Sequence, residues 1–321
     1  MPSRHMVSGL DAEELEAGEW DLILAYRYIH STDFFVGSKE VDSDTDPRLK
    51  LHSLDVAVHY AITRRWSASL IVPILDSRSS SIHLDGNRHS ISTGAQVGDL
   101  RLLANYWAFD PEEEENGNLG FSLGVKVPTG NEELTGSFVT PTGRQRAVLD
   151  ISQQPGDGGW GAIVEALFFK EIFDGVSIYG SGSYLINPRN TNDTEALQSL
   201  VDPTRTFNNS VPDQYSARLG VGTVVLPGLS FGLGGRVEGI PVHDLIGDSD
   251  GFRRPGRSIF VEPSVDWRPM IGDRQLGTFT ASVPYAVDRR LFTSDLDRSR
   301  GVETSGDLAG LQIHLAFTMT F

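Results

Sequence analysis

The clearest pattern in the chain is a regular alternation of apolar and polar residues at its C-terminal end. Six apolar residues occupy every second position there: Leu311, Ile313, Leu315, Phe317, Met319 and Phe321. Successive side chains of a β-strand point to opposite faces of the sheet. This period of two therefore predicts a strand with one apolar face and one polar or small face.

The same alternation recurs along the rest of the chain. Eleven further segments show it, and they begin near the following residues: Trp20, Leu54, Trp66, Leu100, Leu119, Ala162, Val176, Tyr215, Leu229, Ile259 and Phe279. The segments are about ten residues long, which is the length that a tilted strand needs to cross a bilayer. Together with the last segment they predict twelve strands.

The connections between these segments alternate between short and long. The five short ones are residues 63–65, 110–118, 171–175, 227–228 and 268–277. The six long ones are residues 31–50, 75–97, 129–159, 188–213, 241–256 and 288–307. Short turns at one end and long loops at the other are typical of outer-membrane barrels. The pattern predicts an all-β fold, a single antiparallel transmembrane β-barrel of about twelve strands, with both termini periplasmic.

A soluble β-sandwich is the alternative that gives the same alternation. It has fewer strands per domain and less regular loops, and glycine and serine on the second face suit a polar lumen better. The barrel prediction places one apolar set against lipid: Leu54, Val56, Val58, Leu311, Ile313, Leu315, Phe317 and Met319. It also places aromatic residues near the two membrane interfaces: Trp20, Trp66, Trp267, Tyr285 and Phe321.

Composition narrows the possible functions. The chain has 43 acidic and 27 basic side chains and a formal charge of −16, which argues against a nucleic-acid partner. It has no cysteine, which excludes disulfide scaffolds, thiol catalysis and cysteine-ligated metals. No uncharged run is long enough for a transmembrane helix. No cofactor is expected.

The N-terminal residues differ from the rest of the chain. Residues 1–18 form an acidic tail, either one short helix ending at Gly18 or a frayed segment, and residues 19–321 form the barrel. The first residues lack the apolar core of a signal peptide. Three explanations stay open: the chain is mature, its true start lies further upstream, or the protein is cytoplasmic.

Three local motifs carry a family resemblance. They are VGDLRL at 97–102, GVKVPTGN at 124–131 and QPGDGGW at 154–160. They resemble a family of bacterial outer-membrane transporters named after the meta-pathway of phenol degradation. The resemblance covers about residues 54–182 and rests on topology beyond them. It implies an outer-membrane location and passage of hydrophobic or aromatic compounds, and it carries no catalytic residues.

Ionisable residues on the polar faces of the strands are the candidate site. We expect them to line the lumen, because a basic residue on the lipid face costs roughly 2–4 kcal/mol at mid-membrane. The set is Asp99, Arg101, Lys126, Glu165, Arg218, Arg236, Glu238, Glu262 and His314. Either these charges form an ion-pair network that stiffens the barrel, or they form a constriction that filters solutes by charge. Both can hold together.

Three function classes follow from the pattern. The first is a transporter or channel for small, hydrophobic or aromatic solutes. The second is a membrane-embedded lipid hydrolase or acyl-modifying enzyme, for which His30 and Ser31 are the best candidate pair. The third is a purely structural barrel. The expected partners are membrane lipid and lipopolysaccharide, a small solute, and the barrel-assembly machinery through the strand ending in Phe321.

One acidic loop has the spacing of a metal-binding segment. Asp42, Asp44 and Asp46 are spaced like the first ligands of a calcium loop. Pro47 stands where such a loop needs glycine, and Ser53 stands where it needs glutamate. A solvated acidic loop is therefore the favoured interpretation, and no metal site is predicted.

Overall fold

The computed structural model describes residues 15–83, 85–114, 116–140, 143–201, 206–271 and 274–321. Twelve antiparallel strands close into one barrel. Numbered in chain order they are β1 Trp20–Ser31, β2 Arg48–Ala61, β3 Trp66–Ile82, β4 Leu100–Trp107, β5 Gly117–Val127, β6 Gly161–Phe173, β7 Val176–Ile186, β8 Gln214–Leu226, β9 Leu229–Ile240, β10 Gly256–Trp267, β11 Thr278–Ser282 with Tyr285–Leu291, and β12 Leu311–Thr320. The predicted fold class and strand number are confirmed.

The first and last strands close the barrel. β1 pairs with β12 from Asp21 opposite Thr320 to His30 opposite Leu311. Trp20 and Phe321 exchange two backbone hydrogen bonds, of 3.1 and 2.8 Å. A shift of one residue would turn every apolar side chain inward, so the period-two pattern specifies this register. The predicted pairing of the Phe321 end with the first strand is confirmed.

Tight turns join neighbouring strands at the end of the barrel where both β1 begins and β12 ends, here called the short-turn end. Pro227 and Gly228 form the two-residue turn between β8 and β9, and Gly228 has a φ of 75°. Proline presets the first turn position and glycine tolerates a positive φ at the second. This local chemistry explains why the chain reverses there.

β11 is interrupted in the middle. Pro284 has no backbone N–H and so cannot donate to a neighbouring strand. Its carbonyl still accepts a 3.0 Å hydrogen bond from the Gln312 N–H, and the Val283 N–H donates to the Pro263 carbonyl at 3.1 Å. The two halves of β11 therefore stay in the sheet, although the ladder is broken between them.

The opposite end of the barrel, here called the long-loop end, carries additional short elements. The strands there are Phe34–Val36, Lys39–Val41, Arg88–Ser92, Gln96–Val97, Thr135–Thr140, Gly143–Val148, Thr191–Glu195, Asn208–Ser210 and Ser305–Asp307. A hairpin of Met270–Ile271 and Arg274–Gln275 lies at the short-turn end. The helices are Ile151–Gln153, which is 3-10, Gln198–Val201 and Asp295–Ser299. Within the described residues, no helix is long and apolar enough to cross a membrane.

The barrel is apolar outside and polar inside. Leu123 is 65% exposed and Leu233 60%, although both lie in the middle of strands. Their neighbours Ser122 and Glu262 face the interior and are buried. Large exposed apolar surfaces of this kind are covered by lipid in membrane barrels. None of the eight residues predicted to face lipid is buried, and Leu311 and Leu315 are nearly half exposed.

Aromatic side chains cluster at the short-turn end. Trp20 stacks near Tyr60 at 4.4 Å between ring centroids, and Trp66 near Tyr106 at 4.7 Å. Trp267 lies close to Phe279 at 5.7 Å. Such rings favour the boundary between lipid and water, so this girdle marks one edge of the membrane-spanning band. The predicted helix or frayed tail at residues 1–14 lies outside the described residues.

Candidate functional site

A cavity of about 650 Å³ lies inside the barrel, toward the long-loop end. Four of the charged side chains that line it, here called its floor, are Asp55, Asp99, Arg101 and Lys126. The rest of the lining mixes serine, glutamine and further charged side chains with apolar ones, which include Phe34, Leu49, Leu51, Pro73, Leu75, Phe138, Ile151, Leu185, Ile240 and Leu291. Apolar surroundings with a few convergent polar groups are what small-molecule sites have in common.

The three sequence motifs meet at the edge of this cavity. Asp99, from the first motif, accepts a 2.9 Å hydrogen bond from the Gly130 N–H and a 3.2 Å bond from the Asp157 N–H. Gly130 belongs to the second motif and Asp157 to the third. One buried carboxylate therefore ties the entry to β4 to the loop that joins β5 and β6.

Lys126 completes this cluster electrostatically. Its ammonium group binds the Asp157 carboxylate and lies 3.8 Å from Asp99 Oδ2. A fully buried ammonium needs such partners, because a lone charge in an apolar interior is very costly. Lys126 is therefore held by the motif cluster and is not free to move into the cavity.

Glycine is required at positions 130 and 156 of the motifs for a steric reason. A Cβ atom on Gly130 would lie 2.7 Å from the Cα of Gly156, and one on Gly156 would lie 2.6 Å from the Gly130 carbonyl carbon. Both distances are far below van der Waals contact. The two backbones can approach this closely only because neither residue has a side chain.

Two other charged groups on the cavity floor have no such partners. Asp55 is 6% exposed, and its Oδ1 has no hydrogen-bond partner among the described residues. Asp55 was absent from the predicted site, although its position between Leu54 and Val56 in a period-two strand indicates that it points inward. Arg101, on β4, lines the same cavity.

The opposite wall of the lumen, on β8 to β12, carries a dense ion-pair network that we call the paired wall. Glu262 is fully buried and binds Arg236 through two hydrogen bonds of 2.8 Å. Arg218 lies 3.2 Å from its Oε1, and the Ser282 hydroxyl donates to Oε1 at 2.7 Å. The carboxylate is thus saturated with donors, which is the condition under which a buried ion pair is tolerated.

The network continues across the lumen to β1. Arg27 donates to Glu238 at 2.8 Å and to Gln312 at 3.0 Å. The Gln312 amide nitrogen donates to Glu238 at 2.8 Å. His314 lies 2.9 Å from the Gln312 carbonyl oxygen and 3.3 Å from Arg236. These side chains join β9 to β12, which are not neighbours in the sheet, and so they fill part of the interior.

The nine predicted lumen residues therefore separate into groups. Asp99, Arg101 and Lys126 line the cavity. Arg218, Arg236, Glu238, Glu262 and His314 form the paired wall. Glu165 faces inward from β6 opposite Ser122 and Ser183. Arg27 and Gln312, which were not among the predicted lumen residues, lie on inward-facing positions of β1 and β12.

An apolar patch interrupts the polar interior. Ile71, Leu103, Ile163 and Leu185 pack together from β3, β4, β6 and β7 and are all buried. Gly124, on the intervening strand β5, leaves room for them, because a Cβ there would lie 2.8 Å from Leu103 Cγ. This patch lies beside the charged floor of the cavity.

Loops from three places in the chain join above the cavity. Asp150 receives two hydrogen bonds from Arg254, of 2.7 and 2.8 Å. Burial opposes ionisation of Asp150, but the Arg254 guanidinium holds the pKa of its carboxyl below the usual range. Burial raises the pKa of the nearby Asp307 to about 6, and repulsion by Asp150 adds to this while Arg254 opposes it.

The candidate enzyme pair is not assembled. His30 and Ser31 are consecutive in β1, and consecutive strand residues point to opposite faces. Ser31 faces inward and is buried, while His30 borders a groove on the outer wall together with Tyr28 and Leu311. The two side chains therefore do not form the Ser–His pair that the enzyme alternative requires at this place.

The acidic loop at residues 42–46 has ordinary ion-pair partners. Asp46 binds Arg48 at 2.8 Å and also binds Arg88. No group of three or more possible metal-ligating side chains occurs in the part of the chain that the structure describes. The loop is held by arginines from neighbouring strands.

The barrel resembles solved outer-membrane proteins. A crystal structure of an outer membrane channel from Pseudomonas putida F1 superimposes with a TM-score of 0.64 at 16% identity, covering 97% of this chain and 98% of that one. The P. putida toluene transporter TodX gives a TM-score of 0.47 at 9% identity, covering 98% and 92%. The Ralstonia pickettii toluene transporter TbuX gives 0.46 at 9% identity, covering 96% and 90%. No protein-family model and no curated protein matches the chain.

Proposed function

We propose that the chain is a bacterial outer-membrane channel that admits small, hydrophobic or aromatic solutes. The observation that carries this proposal is the cavity of about 650 Å³ inside a closed barrel, with apolar side chains in its lining and a charged floor. The first of the similar structures is itself an outer membrane channel, which supports the same location and class. The termini then lie in the periplasm, since both are at the short-turn end.

Hydrophobic or aromatic solutes fit the lining of the cavity. Phe34, Phe138 and Leu75 line the cavity and offer apolar contact. The family resemblance at residues 97–102, 124–131 and 154–160 implies the same class of solute. On the basis of these motifs, the proposal includes membership of the transporter family named after the meta-pathway of phenol degradation.

Flux measurements test the proposal. The purified chain is reconstituted into liposomes and planar bilayers, and uptake of toluene and single-channel conductance are recorded. Arg101→Ala should shift ion selectivity, because Arg101 lines the cavity. Arg218→Ala should mainly lower stability, because Arg218 is bound to Glu262 in the paired wall. Absence of both conductance and solute flux in a folded preparation would refute the channel.

Membrane components are further proposed partners. Lys50 and Arg78 are exposed on the outer faces of β2 and β3, beyond the apolar band. Basic side chains at this height suit the phosphate groups of lipopolysaccharide. The exposed Phe321 ends the strand that closes the barrel, and this supports recognition of the last strand by the barrel-assembly machinery.

A further inference from the structure

Asp55 is an unusual acidic residue in this barrel. It is buried on β2 between Ala25 of β1 and Pro73 of β3, and neither neighbour can neutralise it or donate a side-chain hydrogen bond. Asp99, on the same cavity floor, receives two backbone N–H groups. Glu262, in the paired wall, receives three side chains. Of these three, only Asp55 has a buried carboxylate oxygen without a hydrogen-bond partner among the described residues, and Asp55 lines the cavity.

Arg101 is the basic counterpart. Its backbone pairs with Ile71 on β3 and Lys126 on β5. Its guanidinium forms no hydrogen bond or ion pair with the described residues. The carboxylates of Asp55, Glu165 and Asp99 nevertheless attract it from a longer distance. Arg236 and Arg254, in contrast, each bind a carboxylate through two hydrogen bonds. The guanidinium N–H groups of Arg101 are therefore available to bind a solute.

Both groups line one cavity. A buried charge without partners is stable only if water or a solute supplies the missing hydrogen bonds. The fork of an arginine matches the two oxygens of a carboxylate, and a carboxylate accepts protons from an ammonium or hydroxyl group. The apolar side chains of the cavity lining, including Pro73 and Leu75, suit a hydrocarbon body.

We propose that Asp55 and Arg101 form a two-point site for a small amphipathic solute that carries a carboxylate and, at its other end, a hydrogen-bond donor, either an ammonium or a hydroxyl group. Arg101 binds the carboxylate and Asp55 binds the donor. This inference rests on the proposed channel function and names its solute class.

The charge pattern argues against a solute with one polar end. A simple anion at Arg101 would also meet Asp55 and Asp99, which repel it. A simple cation at Asp55 would meet Arg101 and Arg27, which repel it. A solute with a carboxylate and a hydrogen-bond donor provides a partner for both Arg101 and Asp55. When the donor is an ammonium group, the solute adds no net charge to the site.

Binding is measured by calorimetry on the full chain in detergent. The probes are toluene, benzoate, benzylamine, the 3- and 4-isomers of aminomethylbenzoate, and the same isomers of hydroxymethylbenzoate. At least one bifunctional probe should bind about tenfold tighter than benzoate and benzylamine, which is the change expected from one additional charge-assisted hydrogen bond. The amine and hydroxyl arms identify the preferred donor. Equal binding of one-ended and two-ended probes would overturn the proposal.

Variants then assign the two ends. Asp55→Asn should weaken the bifunctional probe to the level of benzoate, and Arg101→Gln should weaken it to the level of benzylamine. The matched controls Asp44→Asn and Arg144→Gln change exposed residues at the long-loop end and should leave binding unchanged. If the variants fold, as judged by circular dichroism, and still bind the probe normally, the assignment is wrong.

Flux in the same preparation separates this inference from the channel proposal. A barrel that conducts but shows no preference for bifunctional probes refutes only the two-point site. A barrel that binds them selectively but passes no solute refutes the channel and leaves the site standing.

Discussion

The two walls of the lumen differ in how many hydrogen-bond and ion-pair partners their charged side chains have. On the paired wall, Glu262 is saturated by Arg236, Arg218 and Ser282. On the wall that faces the cavity, Asp55 Oδ1 has no hydrogen-bond partner and Arg101 binds no carboxylate among the described residues. Both walls have the same period-two pattern and similar residue types, so the difference lies in which side chains can reach one another.

This difference indicates that the paired wall stabilises the barrel, whereas the wall that faces the cavity binds or filters solutes. Saturated ion pairs hold distant strands together, but their fields largely cancel. Unsaturated charges cost stability and are therefore expected where a protein binds or filters something. The two interpretations of the inward charges, a stiffening network and a filter, thus apply to different walls of the same barrel.

Removing the centre of the paired wall should have the largest effect. Glu262→Gln removes the counter-charge that Arg218 and Arg236 share, and we expect a loss of about 3–5 kcal/mol in the free energy of unfolding. Urea unfolding in detergent or lipid vesicles measures it. The control Glu133→Gln, on an exposed loop residue, should change stability by less than about 0.5 kcal/mol. A similar small loss in both variants would contradict the paired wall.

Both walls belong to a barrel whose outer face contacts lipid. Leu123 lies on the outer face of β5 and is 65% exposed. Leu123→Arg should destabilise the barrel in lipid by about 2–4 kcal/mol, because it places a charge against hydrocarbon. Leu245 is equally exposed but lies in a long loop, so Leu245→Arg should be nearly neutral. Equal unfolding energies for the two arginine variants would argue against the lipid face.

The loop contact above the cavity should depend on pH. The pKa of Asp307 is raised to about 6, so the folded state holds its proton more tightly than the unfolded chain. The contribution of the protonated Asp307 carboxyl to the free energy of unfolding is complete below the ordinary pKa near 3.8. This contribution is lost as the pH rises through 6. Asp307→Asn should therefore raise stability at pH 8 by about 1–2 kcal/mol.

At pH 4 the same substitution should have little effect. Thermal unfolding at the two pH values measures the difference, and Asp44→Asn is the control for an exposed loop carboxylate. A benefit that is equal at both pH values would exclude titration of Asp307 as its cause.

The smallest effect on stability is expected at the cavity. Arg101→Gln removes a guanidinium without a bound counter-ion, so the free energy of unfolding should change by less than about 1 kcal/mol. Ion selectivity in planar bilayers should change clearly, in contrast to Arg144→Gln. A loss as large as that of Glu262→Gln would mean that Arg101 is part of a structural network and that the two walls do not differ.

Most of the fold could be predicted because its signals are local. The alternation at Leu311–Phe321 defines a strand face by itself, and the turn at Pro227 and Gly228 follows from the conformations those residues adopt. The interruption of β11 was less evident, since Pro284 replaces only one residue in an otherwise regular alternation. The meeting of Asp99, Gly130 and Asp157 could not be predicted from their separate motifs.

The amino-acid pattern alone predicts the strand number, the two faces of each strand and the pairing of the last strand with the first, because strand periodicity and turn chemistry act over a few residues. Which inward charges are paired follows only from the folded barrel. Glu238 reaches Gln312 across two intervening strands, and Asp150 reaches Arg254 from another loop. Such distances depend on the curvature of the closed barrel and the reach of each side chain, and no local pattern encodes either of them.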